Sequence, residues 1–298
     1  MIMYSVWSAR FADFATPRAK ATRAVTARGN YGRMNNALIE LAHLLEFAAT
    51  RLEPTLVVVP DAVQQLVPRS QFDYSFSWVC VANAAPVHLK VEGADLKDVY
   101  WWDAGPATNF GHAGLPSLHS VELKGLILAK IVMRPQPALR ALVERLSPKG
   151  PYVAIHLRNL EGSCVERLKL EGLAVQRVTS RDLGREVLPA DLCSMTGAYV
   201  RAALRMDGVP REWPILLVHD GQSKTRARKL RNRLRAAETN GTPFADLVIA
   251  VRSSYFIGNP ASSFSANVVL IRNALGAPLE SSNLRPHESP RAKGRTIS

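Results

Sequence analysis

Three groups of residues in this 298-residue chain have the types and spacing to hold a phosphate. The first is Ser262, Ser263 and Ser265 around Phe264, set between the β-type run Tyr255–Ile257 with its Gly258-Asn259-Pro260 turn and an apolar helical pattern closed by Arg272. A hydroxyl-rich turn at a helix start leaves backbone N–H groups unpaired and places the positive end of the helix dipole there. An ordinary serine N-cap on a core helix is the alternative. The second group is His156 and Arg158, at the end of the run Tyr152–Leu157. Strand alternation puts both on one side. A guanidinium there can fork onto a pyrophosphate, and an imidazole can hydrogen-bond a ribose or phosphate. The alternative is a core histidine with its needs met and an Arg158–Glu161 salt bridge. The third is the polar loop Gly32-Arg33-Met34-Asn35-Asn36.

The elements that must position these groups follow from period and punctuation. A short strand over 24–28 feeds the Gly32 loop. From Asn36, apolar residues recur at Leu38, Leu41, Ala42, Leu45, Ala48, Ala49 and Leu52, a helical spacing with Asn35 or Asn36 as N-cap. Pro54 stops that helix and Thr55–Val59 reads as a buried strand. Residues 61–120 read as irregular, with helices expected at 118–132 and 137–146. The Pro/Gly punctuation at 147–151 marks a domain boundary. Beyond it, strands at 152–157, 215–218 and 255–257 alternate with helices at 191–204, 223–237, 244–251 and after the serines. Short buried strands between helices predict a parallel sheet covered on both faces, with ligands at the strand ends. The expected organisation is an irregular arm over 1–22, one lobe over 23–147, a second over 151–280, and a disordered basic tail over 281–298.

The net charge of +13 is unevenly spread. Residues 1–28 hold five Arg/Lys against one Asp, and residues 281–298 hold four against one Glu. Lys224–Arg235 alone supplies seven positive charges and no negative one. Such a run is a solvated helix face or a contact for an acidic partner. No nucleic-acid recognition motif accompanies it, so no nucleic-acid partner is expected. No run of 18 apolar residues predicts a transmembrane span, and no standard leader is visible; residues 1–28 suit a cleaved leader or a disordered arm equally. Cys80, Cys164 and Cys193 form no CxxC pair; one bridge with a free thiol suits a secretory protein and three thiols suit the cytosol.

Taken in order, G-R-x-N-N at a helix start, strand-His156-Leu157-Arg158, and Phe256-Ile257-Gly258-Asn259-x-x-Ser262-Ser263-Phe264-Ser265 followed by an arginine resemble the GDP-fucose protein O-fucosyltransferase family. The likeness spans roughly 23–277. Cys193-Ser194-Met195-Thr196 resembles the C-P-L-T segment of plant-type members, and Cys164 their cysteine after the H-L-R segment. Met34 stands where members more often carry an aromatic residue, and Ala37 where they carry Gln.

The resemblance implies an α/β fold of GT-B type, two Rossmann-like lobes with the donor between them. It implies that Arg158 holds the β-phosphate of GDP-fucose and stabilises departing GDP, that His156 contacts ribose or phosphate, and that Ser262, Ser263, Phe264 and Ser265 serve the pyrophosphate. Gly32 would allow close approach of the backbone, within a loop whose Arg33 and Asn35 also face the donor. Asn36 would lie near the reaction centre, and Asp220 and Asp246 would contact guanine or sugar. Arg272 would serve either the donor or the packing of the halves. Glu161 would be a catalytic base, a surface residue or a partner for Arg158. A Cys164–Cys193 disulfide, with Cys80 free, would accompany a lumenal location in the Golgi or endoplasmic reticulum; the cytoplasm is the alternative.

The resulting expectation is a glycosyltransferase moving fucose from GDP-fucose to a protein Ser/Thr or glycan hydroxyl, inverting and without metal or cofactor. A sugar-nucleotide- or glycan-binding protein of the same fold without turnover is the alternative, and a basic polyanion-binding protein the third reading.

Overall fold

A computed structural model describes residues 23–27, 34–49, 55–58, 65–68, 70–72, 87–90, 99–102, 121–158, 163–169, 174–219 and 224–286. The chain divides into two compact units, Met1–Gln136 and Pro137–Ser298. The first contains β1 (Arg23–Ala27), α1 (Met34–Ala49), β2 (Thr55–Val58), β3 (Val87–Lys90), β4 (Val99–Trp102) and α2 (Val121–Val132). Its four strands pair in the order β3-β2-β1-β4, all parallel. Parallel neighbours need crossover connections, and α1 supplies the one between β1 and β2. The apolar stripe read from the sequence is the buried one: Ala37, Leu38, Leu41, Ala42 and Leu45 are all inside, and α1 packs on α2, which itself buries Ile127, Leu128 and Ile131. Helix α1 begins at Met34, so Asn35 and Asn36 stand in its first turn rather than at an N-cap. Two strands, β3 and β4, arise from the stretch that reads as irregular, because each is four residues long and takes its pairing from distant sequence.

The second unit contains α3 (Pro137–Leu146), β5 (Val153–Leu157), α4 (Cys164–Lys169), β6 (Ala174–Gln176), α5 (Ser180–Leu183), α6 (Pro189–Ser194), α7 (Gly197–Met206), β7 (Ile215–His219), α8 (Lys224–Leu234), β8 (Ala237–Glu238), α9 (Pro243–Arg252), β9 (Tyr255–Ile257), α10 (Ser263–Ala274), a 3-10 turn at Leu279–Ser281 and β10 (Leu284–Pro286). The main sheet has the order β8-β7-β5-β9, again all parallel. Counted within each four-stranded sheet, both have strand order 3-2-1-4, that of one side and the switch point of a Rossmann-type sheet. The protein is α/β, with two Rossmann-like units.

The alternation of β5 sorts its side chains. Val153, Ile155 and Leu157 face a core with Tyr199, Val200, Leu217, Tyr255 and Ile257, while Ala154 and His156 point to the other side. The unit boundary falls before α3 rather than after it, because α3 buries Leu139 and Val143 and packs on α9. The helix expected at 191–204 is two helices. Met195 adopts a left-handed conformation that ends α6, and Thr196 then caps α7 by accepting from the Tyr199 N–H. The basic helix ends at Leu234, and Ala237–Glu238 joins the sheet instead. Ordered structure also runs past residue 280. Strand β10 pairs antiparallel with β6, so residues 281–286 belong to the fold rather than to a tail. The disulfide Cys164–Cys193 ties α4 to α6. Among the described residues, no helix is long and apolar enough to cross a membrane.

Candidate functional site

Parallel α/β sheets place ligands outside the C-terminal ends of their strands, where the connections of two neighbouring strands diverge. In the second unit that point lies between β5 and β9. Chain leaving β5 returns as β7 on one side, whereas β9 is added on the other side. Their register sets Ile155 beside Ile257, so the next residues, His156 and Gly258, come level at the sheet edge. The turn after β9 leads directly into α10, whose N-terminus therefore sits at this edge with the positive end of its dipole.

That N-terminus is open. Ser262 has the extended backbone of an N-cap, but its side chain makes no cap hydrogen bond. The first helical bond runs from the Ala266 N–H to the Ser262 carbonyl at 2.9 Å. The N–H groups of Ser263, Phe264 and Ser265 thus have no acceptor among the described residues. The ordinary serine cap, the alternative reading of this segment, is not what forms.

Ser265 is used differently. Its Oγ lies 2.9 Å from His156 Nδ1 and accepts the Asn259 N–H at 3.0 Å. Phe264 stacks on the His156 ring, with centroids 4.2 Å apart and planes at 26°. Burial, reinforced by the charges of Arg158 and His219, lowers the His156 pKa to about 3, so the ring is neutral near pH 7. A neutral imidazole has one donor and one acceptor nitrogen. If Ser265 donates to Nδ1, the other nitrogen carries the proton and is a donor, with no partner among the described residues.

The close approach of strand end and helix requires a glycine. A Cβ on Gly258 would lie 2.6 Å from the Phe256 ring and 2.8 Å from the Cβ and Oγ of Ser265. Asn283 fixes Gly258 from the other side: its Oδ1 accepts the Gly258 N–H at 2.8 Å and its Nδ2 donates to the Gly258 carbonyl at 3.1 Å and to Tyr199 Oη at 3.0 Å. Asn259 in turn accepts the Ala261 N–H at 2.9 Å through Oδ1 and donates from Nδ2 to Cys164 Sγ at 3.3 Å. The disulfide is therefore in contact with the turn that precedes α10.

Farther along the same edge, Asp246 in the first turn of α9 accepts from Thr239 Oγ1 at 2.6 Å. Burial raises its pKa to about 6, against the lowering effects of Thr239 and of His219. His219, at the end of β7, lies 3.4 Å from Glu238 Oε2.

No protein-family model matches the chain, and no curated protein matches it in sequence. Solved structures do resemble it. POFUT1 in complex with GDP-fucose aligns at 14% identity over 84% of this chain and 94% of that one, with a TM-score of 0.49. POFUT1 in its apo form aligns at 12% identity over 90% and 99%, with a TM-score of 0.46. The fucosyltransferase NodZ from Bradyrhizobium aligns at 14% identity over 85% and 94%, with a TM-score of 0.47. At these values the likeness assigns neither substrate nor activity to the chain.

The residues singled out in the sequence separate into three sets. His156, Arg158, Ser262, Ser263, Phe264 and Ser265 gather at the edge of β5 and β9. Asp246 lies on the same sheet edge beside Thr239. Asn35 and Asn36 lie in the first unit, at the start of α1. Gly32, Arg33, Glu161 and Asp220 lie outside the described residues.

Arg272 is a correction. It lies in the last turn of α10, at the opposite end from the serines, and its guanidinium donates to the carbonyls of Val251, Ser253, Ser254 and Ser281 and to Ser281 Oγ. It joins the end of α9 to the 3-10 turn, inside one unit; burial lowers its pKa to about 10. Asn283 has no signature in the sequence, because a polar Ser-Ser-Asn run near a basic terminus carries no signal of burial.

Proposed function

We propose that the β5–β9 edge binds the diphosphate of a nucleotide sugar, and that the protein is a glycosyltransferase using GDP-fucose. The observation that carries this is the open N-terminus of α10: three N–H groups without acceptors among the described residues, at a sheet switch point, beside a neutral buried histidine and the strand-end Arg158. A diphosphate satisfies such groups and the helix dipole together. A histidine held neutral adds a hydrogen-bond donor without adding a titrating charge. Arg158 supplies the charge and the fork geometry that a pyrophosphate suits.

The reaction is an inverting transfer. An acceptor hydroxyl attacks the anomeric carbon of fucose, the bond from that carbon to the β-phosphate oxygen breaks, and GDP departs with the electron pair. The acceptor proton passes to a base, for which Glu161 is the candidate. Charge accumulates on the departing β-phosphate, where Arg158 and the α10 N–H groups would stabilise it without a metal. Asn36 is proposed near the reacting centre, and Asp246 as a contact for guanine or sugar. The two Rossmann-like units are the halves of a GT-B-type enzyme in this reading, and the acceptor is a protein Ser/Thr or a glycan hydroxyl. The disulfide supports an oxidising, secretory compartment.

The test is release of GDP and transfer of labelled fucose from GDP-fucose to an acceptor library. Arg158→Ala should reduce turnover by about a hundredfold or more with an unchanged melting temperature. Binding of GDP without any turnover would leave a donor-binding protein in place of an enzyme, and full activity in Arg158→Ala would remove the assigned role.

A further inference from the structure

We infer that the outer faces of α7 and α8 form a docking surface for a linear sulfated polysaccharide, independently of any donor bound at the β5–β9 edge. The inner side of α8 is held by Ala227 and Leu230, both buried, and Arg226 Nη1 donates to the Cys193 carbonyl at 3.1 Å. What remains outside is cationic. Lys224, Arg228, Lys229 and Arg233 are exposed on α8, and Arg201 and Arg205, one turn apart, are exposed on α7, which packs against it. Among the described residues, none of these six has an acidic partner; the ion pair of α8 is Arg231 with Glu238 at 3.5 Å.

The arrangement also brings like charges together. The position a Cβ would take on Gly197 is 3.4 Å from Arg201 Nη1 and 3.9 Å from Arg233 Nη1, so two guanidinium groups from different helices converge over one glycine. Like charges held this close raise the local potential, which favours an anion that bridges them.

Three features select the partner. Lys224 and Arg228, and likewise Lys229 and Arg233, stand four residues apart, about 6 Å along the helix axis, which suits a polymer with repeating anions. The exposed α8 face offers charge and no large apolar anchor of the kind that dominates protein–protein interfaces, so an electrostatic polymer fits better than a folded acidic protein. The surface is also attached to a disulfide-bonded segment, and disulfides persist in compartments where sulfated glycans occur and nucleic acids do not. Arginine dominates the patch, and its planar fork matches sulfate oxygens in pairs.

The experiment uses the full chain and a size-defined heparin oligosaccharide as probe, titrated calorimetrically at several salt concentrations. A polyglutamate peptide and a single-stranded oligonucleotide of equal charge are compared with it. The expected result is binding that weakens steeply with salt and exceeds that of both competitors at least tenfold. A fourfold variant, Arg201→Glu, Arg228→Glu, Lys229→Glu and Arg233→Glu, should lose at least tenfold in affinity with an unchanged melting temperature. The corresponding Gln variant should lose an intermediate amount, a second reading should the reversal disturb folding. A control with Arg140→Glu, Arg145→Glu and Lys149→Glu, on the exposed side of α3 and the turn after it, should change affinity less than twofold. Equal losses in patch and control variants would reduce the effect to net charge and overturn the proposal. So would equal or tighter binding of the peptide or oligonucleotide, or no binding of the heparin oligosaccharide.

Discussion

His156 is the residue on which the electrostatics of the candidate site turn. Its depressed pKa means that the unfolded chain takes up a proton near pH 6.5 while the folded chain does not until about pH 3. The stability it contributes is present above pH 6.5 and is lost as pH falls through that window. Asp246 has the opposite sign. Its pKa is raised to about 6 in the fold, so its contribution is present below about pH 4 and is lost as pH rises through 6. Between pH 7 and pH 5 the histidine should cost about 2 kcal/mol and the aspartate return about 1 kcal/mol. Urea titrations at both pH values should therefore show His156→Gln losing less stability on acidification than the parent, and Asp246→Asn losing more. Identical pH dependence in all three proteins would mean that these two groups titrate normally. Ser265→Ala should act through its neighbours: it strands the buried Asn259 N–H, costs about 1–3 kcal/mol, and weakens GDP binding. Unchanged stability and GDP affinity would remove Ser265 from the site.

The turn between β9 and α10 works as an element because its neighbours leave it one conformation. Gly258→Ala would force Phe256 and Ser265 apart and should cost about 1–3 kcal/mol in chemical unfolding. Behind the turn, the Cys164–Cys193 bridge spans 29 residues and holds Asn259 through Cys164. The double variant Cys164→Ser, Cys193→Ser should lose about 3–4 kcal/mol. A melting temperature insensitive to the substitution and to reductant would show that the bridge is dispensable. Arg272→Met should destabilise the protein by about 3 kcal/mol, through the carbonyls it leaves unpaired, with GDP affinity retained in the folded fraction. Loss of GDP affinity at full stability would return Arg272 to the donor site. The long periodic elements were legible in the sequence. Helix α1 announced itself by its apolar stripe, and β5, β7 and β9 by short buried runs. Strands β6, β8 and β10 were not legible, having two or three residues each and no period of their own. Their pairing partners lie far away in sequence, and β10 with Asn283 sits in a segment whose composition reads as a tail.

For the whole molecule, the two sheets with the same strand order are the main structural result. The alternation of strands and helices predicted a parallel sheet in the second half, and the sheet order then selects which strand ends form the site. Sequence reading could bring His156 and Ser265 under suspicion separately. Their hydrogen bond across 109 residues is a product of that order. The missing Ser262 cap likewise had no signature in the sequence, since a serine at that position reads as a cap. The central claim is that the first N–H groups of α10, which have no acceptor among the described residues, hold a diphosphate. Amide hydrogen exchange over residues 258–266, with and without GDP, measures those groups themselves. The prediction is marked slowing at Ser263, Phe264 and Ser265 with GDP, a smaller effect with GMP, and little with guanosine. Bound GDP that leaves these three amides exchanging at their free rate would contradict the account.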